Sequence, residues 1–171
     1  MQGGTAFMYY GEELGMKGAG KDENKRVGMY WSNDADSEGM CVGPADADPV
    51  KMTYPALDEQ AEDPYSIYNY IRQLLKLRAA YPAIARGENI FIESSSDKNI
   101  CVLEKSYEGE ELLIVINTSG EKRSLDISSI KLGSKNGASL ETGGILQTGE
   151  EAPVCSAGKI DIPAYSTIIL K

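Results

Sequence analysis

The 171 residues suit one medium domain, or one small domain with a further piece, and suffice to bury a core. A net charge of −9 and an isoelectric point near 4.6 exclude the basic footprint that nucleic acid or an anionic membrane surface requires. Histidine is absent, which removes Ser-His-Asp and Cys-His catalysis together with the usual zinc sites. Cys41, Cys101 and Cys155 are odd in number and far apart, so they make neither a closed disulfide framework nor a zinc knuckle; Cys101 and Cys155 read as buried thiols in strands. No stretch approaches the roughly 20 apolar residues of a membrane span, and Met1 is followed by Gln-Gly-Gly instead of a basic, apolar leader.

The run Thr5–Tyr10 is apolar on both faces and bounded by Gly4 and Gly11, which predicts a buried strand. Such strands belong to parallel sheets covered by helices, yet no parallel neighbour precedes this one. Residues 11–63 are rich in Gly, Asp, Asn and Pro without sustained periodicity, and read as one long functional loop. Asp63-Pro64 then supplies an N-cap and a proline at the first helical position. Ile67, Ile71, Leu74 and Leu75 follow on one helical face, and Tyr81-Pro82 ends the helix. From Arg86 the period shortens to two. NIFIES (89–94), NICVLEK (99–105) and ELLIVIN (111–117) read as successive antiparallel strands joined by polar hairpin loops. The unbroken apolar run Leu112–Ile116 marks a central strand covered on both sides. Weaker strands are predicted at 123–128, 137–141 and 158–162, and STIILK (166–171) closes a small β-sandwich.

This order of elements carries a family resemblance. GGTAFMYYGEELGM resembles the G-x-P-x-x-x-x-G-x-E segment on the eighth barrel strand of the α-amylase family, glycoside hydrolase family 13. Gly4, Gly11 and Glu13 hold the motif positions and Ala6 replaces the proline. KDENKRVGMYWS (21–32) resembles the R-x-P-M-x-W segment of oligo-1,6-glucosidase, neopullulanase and intermediate α-amylase members. Arg26, Met29 and Trp31 match there, and Gly28 replaces the proline. DPYSIYNYIRQLLKLRAAYPAI resembles the eighth barrel helix, and LLIVINTSG with IPAYSTIIL resembles the C-terminal β-domain. The resemblance implies a mainly β chain with one α/β remnant. Residues 1–85 would be the last strand-loop-helix unit of a (β/α)8 TIM barrel, and 86–171 a C-terminal antiparallel β-sandwich. The reading from a different class is a free-standing carbohydrate-binding or interaction module, which would have no use for a barrel strand and its helix.

Retaining glycoside hydrolysis needs two carboxyl groups roughly 5–5.5 Å apart. The resemblance places the nucleophile, the acid/base and the third acid on strands four, five and seven, upstream of this chain. No residue here is assigned a catalytic role, and the chain alone is expected to be inactive. Glu12 and Glu13 would point to opposite faces of a continuing strand, so they cannot share a substrate atom. Glu13 is then a structural carboxylate or one that supports the site through loop backbone. Asp22 and Arg26 match residues that hold sugar hydroxyls at a donor subsite in neopullulanase-like relatives. Arg supplies a fork of donors and Asp an acceptor; an ordinary salt bridge at four-residue spacing is the competing account. Trp31, with Tyr9, Tyr10 and Tyr30, offers aromatic faces to a pyranose ring, although such residues more often belong to a core.

NDADSEGM (33–40) imitates a calcium loop at Asp34, Asp36, Glu38 and Gly39, but Ala45 stands where a bidentate Glu is needed, so no metal and no cofactor are assigned. Asn117-Thr118-Ser119 is a glycosylation sequon placed where a turn follows a strand. The expected partners are α-glucan oligosaccharides, bound in the context of a complete protein. The apolar opening strand would be ordered by folding back on the helix and sandwich, or by pairing in a homodimer.

Overall fold

The computed structural model describes residues 4–91, 97–137 and 140–171. They form two compact units, Ala6–Arg72 and Gln73–Lys171, the second of which also holds Gly4 and Thr5. The division falls within a helix.

The Gln73–Lys171 unit is built on antiparallel sheets. One has the order β1-β2-β3-β10-β7, formed by Glu88–Phe91, Ile100–Tyr107, Glu110–Asn117, Thr167–Leu170 and Thr142–Leu146. A second sheet has the order β4-β9-β8, formed by Arg123–Asp126, Lys159–Ile162 and Val154–Ser156. Lys131–Leu132 (β5) and Lys135–Asn136 (β6) make a short hairpin.

Along the central strand β3 the side chains alternate between two cores. Leu113 and Val115 join Val102, Ile168 and Leu170 against Leu125, Ile160 and Ile162 of the second sheet. Leu112 and Ile114 join Leu103 and Ile169 against Ala83 and Ile84 of the short helix α3 (Pro82–Arg86). The apolar run is continuous because both faces are covered. The β2–β3 connection is the two-residue turn Glu108-Gly109, with φ of 48° and 86°. Both residues at positive φ give the hairpin turn that matches strand twist.

Asn117, at the end of β3, is 1% exposed and holds the sandwich end together. Its Nδ2 group donates to the carbonyls of Glu121 (2.7 Å), Pro163 (2.9 Å) and Ile162 (3.2 Å). Its Oδ1 accepts from the Ser119 N–H (3.0 Å) and hydroxyl (2.8 Å). The sequon is therefore a closed structural turn. Lys105, on β2, is fully buried and donates from Nζ to the Gly87 carbonyl just beyond α3 (3.2 Å). Burial, followed by the charge of Arg78, holds its ammonium below the ordinary pKa of 10.5.

In the Ala6–Arg72 unit the structure departs from the sequence reading. Residues 5–10 form no strand and are exposed, Phe7 to 92%. A strand exists only through ladder partners, and among the described residues none pairs with this segment. The stretch read as one loop contains two 3-10 turns, Glu12–Leu14 and Asp22–Lys25, and a helix, α1 (Leu57–Glu62). Helix α2, which crosses the unit boundary, spans Ile67–Ala80, and Ser66 rather than Asp63 caps it. The Ser66 hydroxyl accepts the Asn69 N–H (3.2 Å), while Asp63 closes its own turn onto the Tyr65 N–H (2.9 Å). Among the described residues α2 has no fully buried side chain, and Leu75, expected on its apolar face, is 49% exposed.

Further corrections concern strands. The strand expected at 137–141 lies partly outside the described residues; Leu140 and Glu141 precede β7 instead. The end of the strand expected at 89–94 also lies outside them beyond Phe91. Cys155 sits in β8 but is exposed, because β8 is an edge strand of a small sheet; Cys101 is half-buried. No helix among the described residues is long and apolar enough to cross a membrane.

Two predictions follow from the buried polar groups. Asn117→Ala should destabilise the β unit by about 3 kcal/mol, since each orphaned buried group costs about 1–3 kcal/mol. Asn117→Asp, which lacks the N–H donors, should be as damaging, and urea unfolding measures both. For Lys105, the folded pKa lies below the unfolded one, so the unfolded chain binds the extra proton between the two values. Its contribution should make stability rise with pH through that window up to 10.5, and Lys105→Met should flatten the slope in urea titrations at stepped pH.

Candidate functional site

The turn-rich unit is assembled around buried amides instead of a large apolar core. Gln60 of α1, 2% exposed, donates to the carbonyls of Leu14 (3.0 Å) and Pro55 (2.8 Å) and accepts the Tyr68 N–H (3.1 Å). One side chain thereby ties the first 3-10 turn, α1 and the start of α2. Asn24, 5% exposed, plays the same part for the second turn. Its Nδ2 donates to the Ala19 carbonyl (2.7 Å) and to Asp48 Oδ2 (2.8 Å), and its Oδ1 accepts the Asp48 N–H (2.8 Å). Lys21 Nζ lies 2.9 Å from the other Asp48 oxygen. The bond from Asn24, then that from Lys21, holds the Asp48 carboxyl below its usual pKa. Gly18 is required beside this turn, since a Cβ there would sit 2.1 Å from the Asn24 carbonyl oxygen. None of these amides stands out in the sequence; the only signal is polar residues inside a glycine-rich stretch.

Asp22 and Arg26 are displayed on this anchored turn. The Asp22 carboxylate faces Lys25 (Oδ1–Nζ 3.2 Å), and the Arg26 guanidinium approaches Glu23 (3.7 Å) and donates through Nε to the Asp22 backbone carbonyl (3.3 Å). The side-chain salt bridge between Asp22 and Arg26 is not formed. A 3-10 turn brings residues three apart together, so the partners are Lys25 and Glu23. Both side chains stay open to solvent, Asp22 at 79% and Arg26 at 59%.

Glu13 is half-buried and its Oε2 accepts the Gly11 N–H (2.9 Å); Glu12 Oε2 accepts the Tyr9 N–H (3.2 Å). The pair lies on a 3-10 turn rather than a strand, entered through Gly11 at φ 88°. A cleft of about 440 Å³ runs beside it, lined by Tyr9, Tyr10, Glu12, Lys17, Asn24 and Lys25 among others. The Tyr9 and Tyr10 rings are 4.7 Å apart and tilted by 39°, and the Tyr10 hydroxyl donates to the Val27 carbonyl (3.0 Å). Trp31 is 45% exposed on a backbone bonded to α1. In the calcium-like stretch, Asp34 Oδ1 accepts the Asp36 N–H (3.0 Å), and among the described residues no three acidic or thiol side chains converge. The arrangement can present a carboxylate, a guanidinium and aromatic faces to a polar ligand.

No family model matches the chain. Alpha-amylase 3 of Dictyoglomus thermophilum is 32% identical over 114 residues, which is 67% of this chain and 23% of that protein. The cyclomaltodextrinase of Geobacillus thermopakistaniensis is 30% identical over 118 residues, 69% of this chain and 15% of that protein. Among solved structures, Eubacterium rectale Amy13B superimposes with a TM-score of 0.87 and 43% identity, over 98% of this chain and 31% of its own. The chain thus spans about a quarter or less of these curated relatives and about a third of the solved one.

The anchoring of the turn is open to test by titration. The Asp48 carboxyl, followed by carbon NMR, should titrate below 3.8, and Asn24→Ala should return its midpoint upward. A depressed carboxylate contributes stability that is present above the unfolded pKa and lost as pH falls through the folded one, so the turn should loosen on acidification.

Proposed function

Since this chain belongs to the α-amylase family, glycoside hydrolase family 13, we propose that it is part of an α-glucan-acting hydrolase and contributes substrate contacts rather than the catalytic carboxylates. The observation that carries this reading is the likeness of 98% of this chain to 31% of a much longer solved relative. Residues 1–85 would complete a (β/α)8 barrel and 86–171 would be the C-terminal β-sandwich. The exposed segment 5–10 would gain its ladder partners from the rest of that barrel; in the isolated chain the same segment is the surface through which a homodimer would form.

Barrel enzymes bind substrate at the C-terminal ends of their strands. Asp22, Arg26 and Trp31 follow the proposed strand on that side, with Glu13 supporting the turn through Gly11. Arg26 offers directed N–H donors and Asp22 two acceptor oxygens, a set that pairs with vicinal sugar hydroxyls. Neither carboxyl group of a retaining mechanism has a counterpart in any motif matched here.

The isolated chain should release no reducing sugar from starch, maltodextrin or isomaltose; turnover abolished by one substitution within residues 1–171 would overturn the reading. In the complete protein, Arg26→Ala should weaken donor-side binding by about 1–3 kcal/mol, as for a lost hydrogen bond from a charged group. Asp22→Ala should affect the same substrates, and the double variant should be less than additive. Unchanged kinetics on maltotriose and longer chains would remove both residues from the site.

A further inference from the structure

Asn24 sits between Asp22 and Arg26 in the chain and is buried while both of them are exposed. Its side chain is the pivot of the Asp22–Lys25 turn, so whatever holds that amide sets the directions in which Asp22 and Arg26 leave the backbone. Asn24 Nδ2 donates to the Ala19 carbonyl (2.7 Å) and to Asp48 Oδ2 (2.8 Å), and Asn24 Oδ1 accepts the Asp48 N–H (2.8 Å). Ala19 precedes Asn24 by five residues, and its bond moves with the turn. Asp48 lies 24 residues further on and grips both ends of the amide, donor and acceptor, from a separate stretch of backbone.

That stretch is itself tied down. Met52 Sδ accepts the Lys17 N–H (3.4 Å), and Lys21 Nζ lies 2.9 Å from Asp48 Oδ1, so residues 48–52 are fastened to residues 17–24 at several points. These bonds do not carry equal weight. Lys21 and Asp48 meet across water, with side chains 44% and 60% exposed, and an ion pair of that kind contributes little. The Asn24 amide is buried, and a donor left there without an acceptor is costly. The depressed Asp48 carboxyl ranks them in the same order, with the Asn24 bond as the first cause and Lys21 after it.

We propose that Asp48 is a positioning residue for donor-side sugar binding: by holding both ends of the Asn24 amide it fixes the roll of the turn, and with it the directions of the Asp22 carboxylate and the Arg26 guanidinium. The proposal rests on the donor-side reading of Asp22 and Arg26. Asp48 touches no sugar in it, since its Oδ2 is committed to Asn24 and its Oδ1 to Lys21. Two long, exposed side chains on a turn free to roll would have to be ordered at every binding event; a turn fixed on folding removes that cost from binding.

In this chain, Asp48→Ala should speed amide exchange at Asn24 and Arg26, whose N–H groups bond to the Lys21 (3.2 Å) and Glu23 (3.1 Å) carbonyls, and leave exchange in the β unit unchanged. In the complete protein the same substitution should raise KM for maltotriose about fivefold, the cost of ordering roughly one long side chain on binding, with kcat unaltered. Asp48→Asn, which keeps an acceptor for the Asn24 amide, should restore both readouts. Asp48→Ala should add nothing in a variant that already carries Asp22→Ala and Arg26→Ala, because it acts through them. Unchanged exchange or an unchanged KM in Asp48→Ala, with Arg26→Ala still effective, would overturn the positioning role and leave the donor-side reading standing. A rise in KM that persists without Asp22 and Arg26, or that Asp48→Asn does not reverse, would overturn it as well. If neither Asp22→Ala nor Arg26→Ala alters KM, the donor-side reading falls and the positioning role with it.

Discussion

The burial of β3 on both faces is the constraint on which the β unit depends. A strand with Leu112, Leu113, Ile114 and Val115 all sealed from water cannot exist in a two-layer sheet with one wet side. It requires a cover for each face, and the chain supplies two of different kinds. The Leu125, Ile160 and Ile162 sheet takes one side; Ala83 and Ile84 of α3, with Leu77 and Tyr81 before them, take the other. The same constraint explains the buried Lys105. It lies on the helix-side face, where its stem fills apolar space and its head has the Gly87 carbonyl to bond. A layer held this closely must also close at its ends, and Asn117 does so by satisfying the carbonyls of the β9–β10 connection.

The Ala6–Arg72 unit solves a different problem. Few of its apolar side chains are buried, so packing alone does not fix the backbone. Buried amides do it instead, because Asn and Gln each offer donors and an acceptor to backbone groups that would otherwise be orphaned. Gln60 and Asn24 each bind backbone segments far apart in sequence. Such a framework specifies geometry closely while leaving the outer side chains uncommitted, which is the condition a binding surface needs.

The sequence made the β unit legible because its signals are local and redundant. Period-two alternation marked β2, and the Glu108-Gly109 turn lay between two clear strands. The uninterrupted Leu112–Ile116 run correctly implied two covered faces. Strands of two or three residues, β5, β6 and β8, escaped, since so short an element has no period. Cys155 misled for a related reason: its type favours burial, but the strand that carries it is an edge. In the other unit, α1 was hidden because six residues make less than two turns and its first donors are satisfied by loop carbonyls from Tyr30 and Trp31. Segment 5–10 has strand composition, but pairing is a property of neighbours and not of the segment itself. Of the candidate site, residue types and their order were visible, while the amides that hold them were not, as Asn24 and Gln60 differ from solvent-facing amides only through their tertiary partners.

The 3-10 form of the Asp22–Lys25 turn decides which partners the Asp22 and Arg26 charges meet. In an α-helix, Asp22 and Arg26 would stand one turn apart and neutralise each other. Tightening the turn to three residues redirects each charge to a neighbour, exposed Lys25 or half-buried Glu23, with which a surface ion pair contributes little. The Arg26 Nε is occupied by the Asp22 carbonyl, which orients the guanidinium, while the outer N–H groups remain accessible. Under the proposed reading, an incoming hydroxyl would compete with weak surface pairs rather than with a strong internal one. The turn geometry, fixed by Asn24 beneath it, is what keeps a carboxylate and a guanidinium close in the chain yet free to act on a third group.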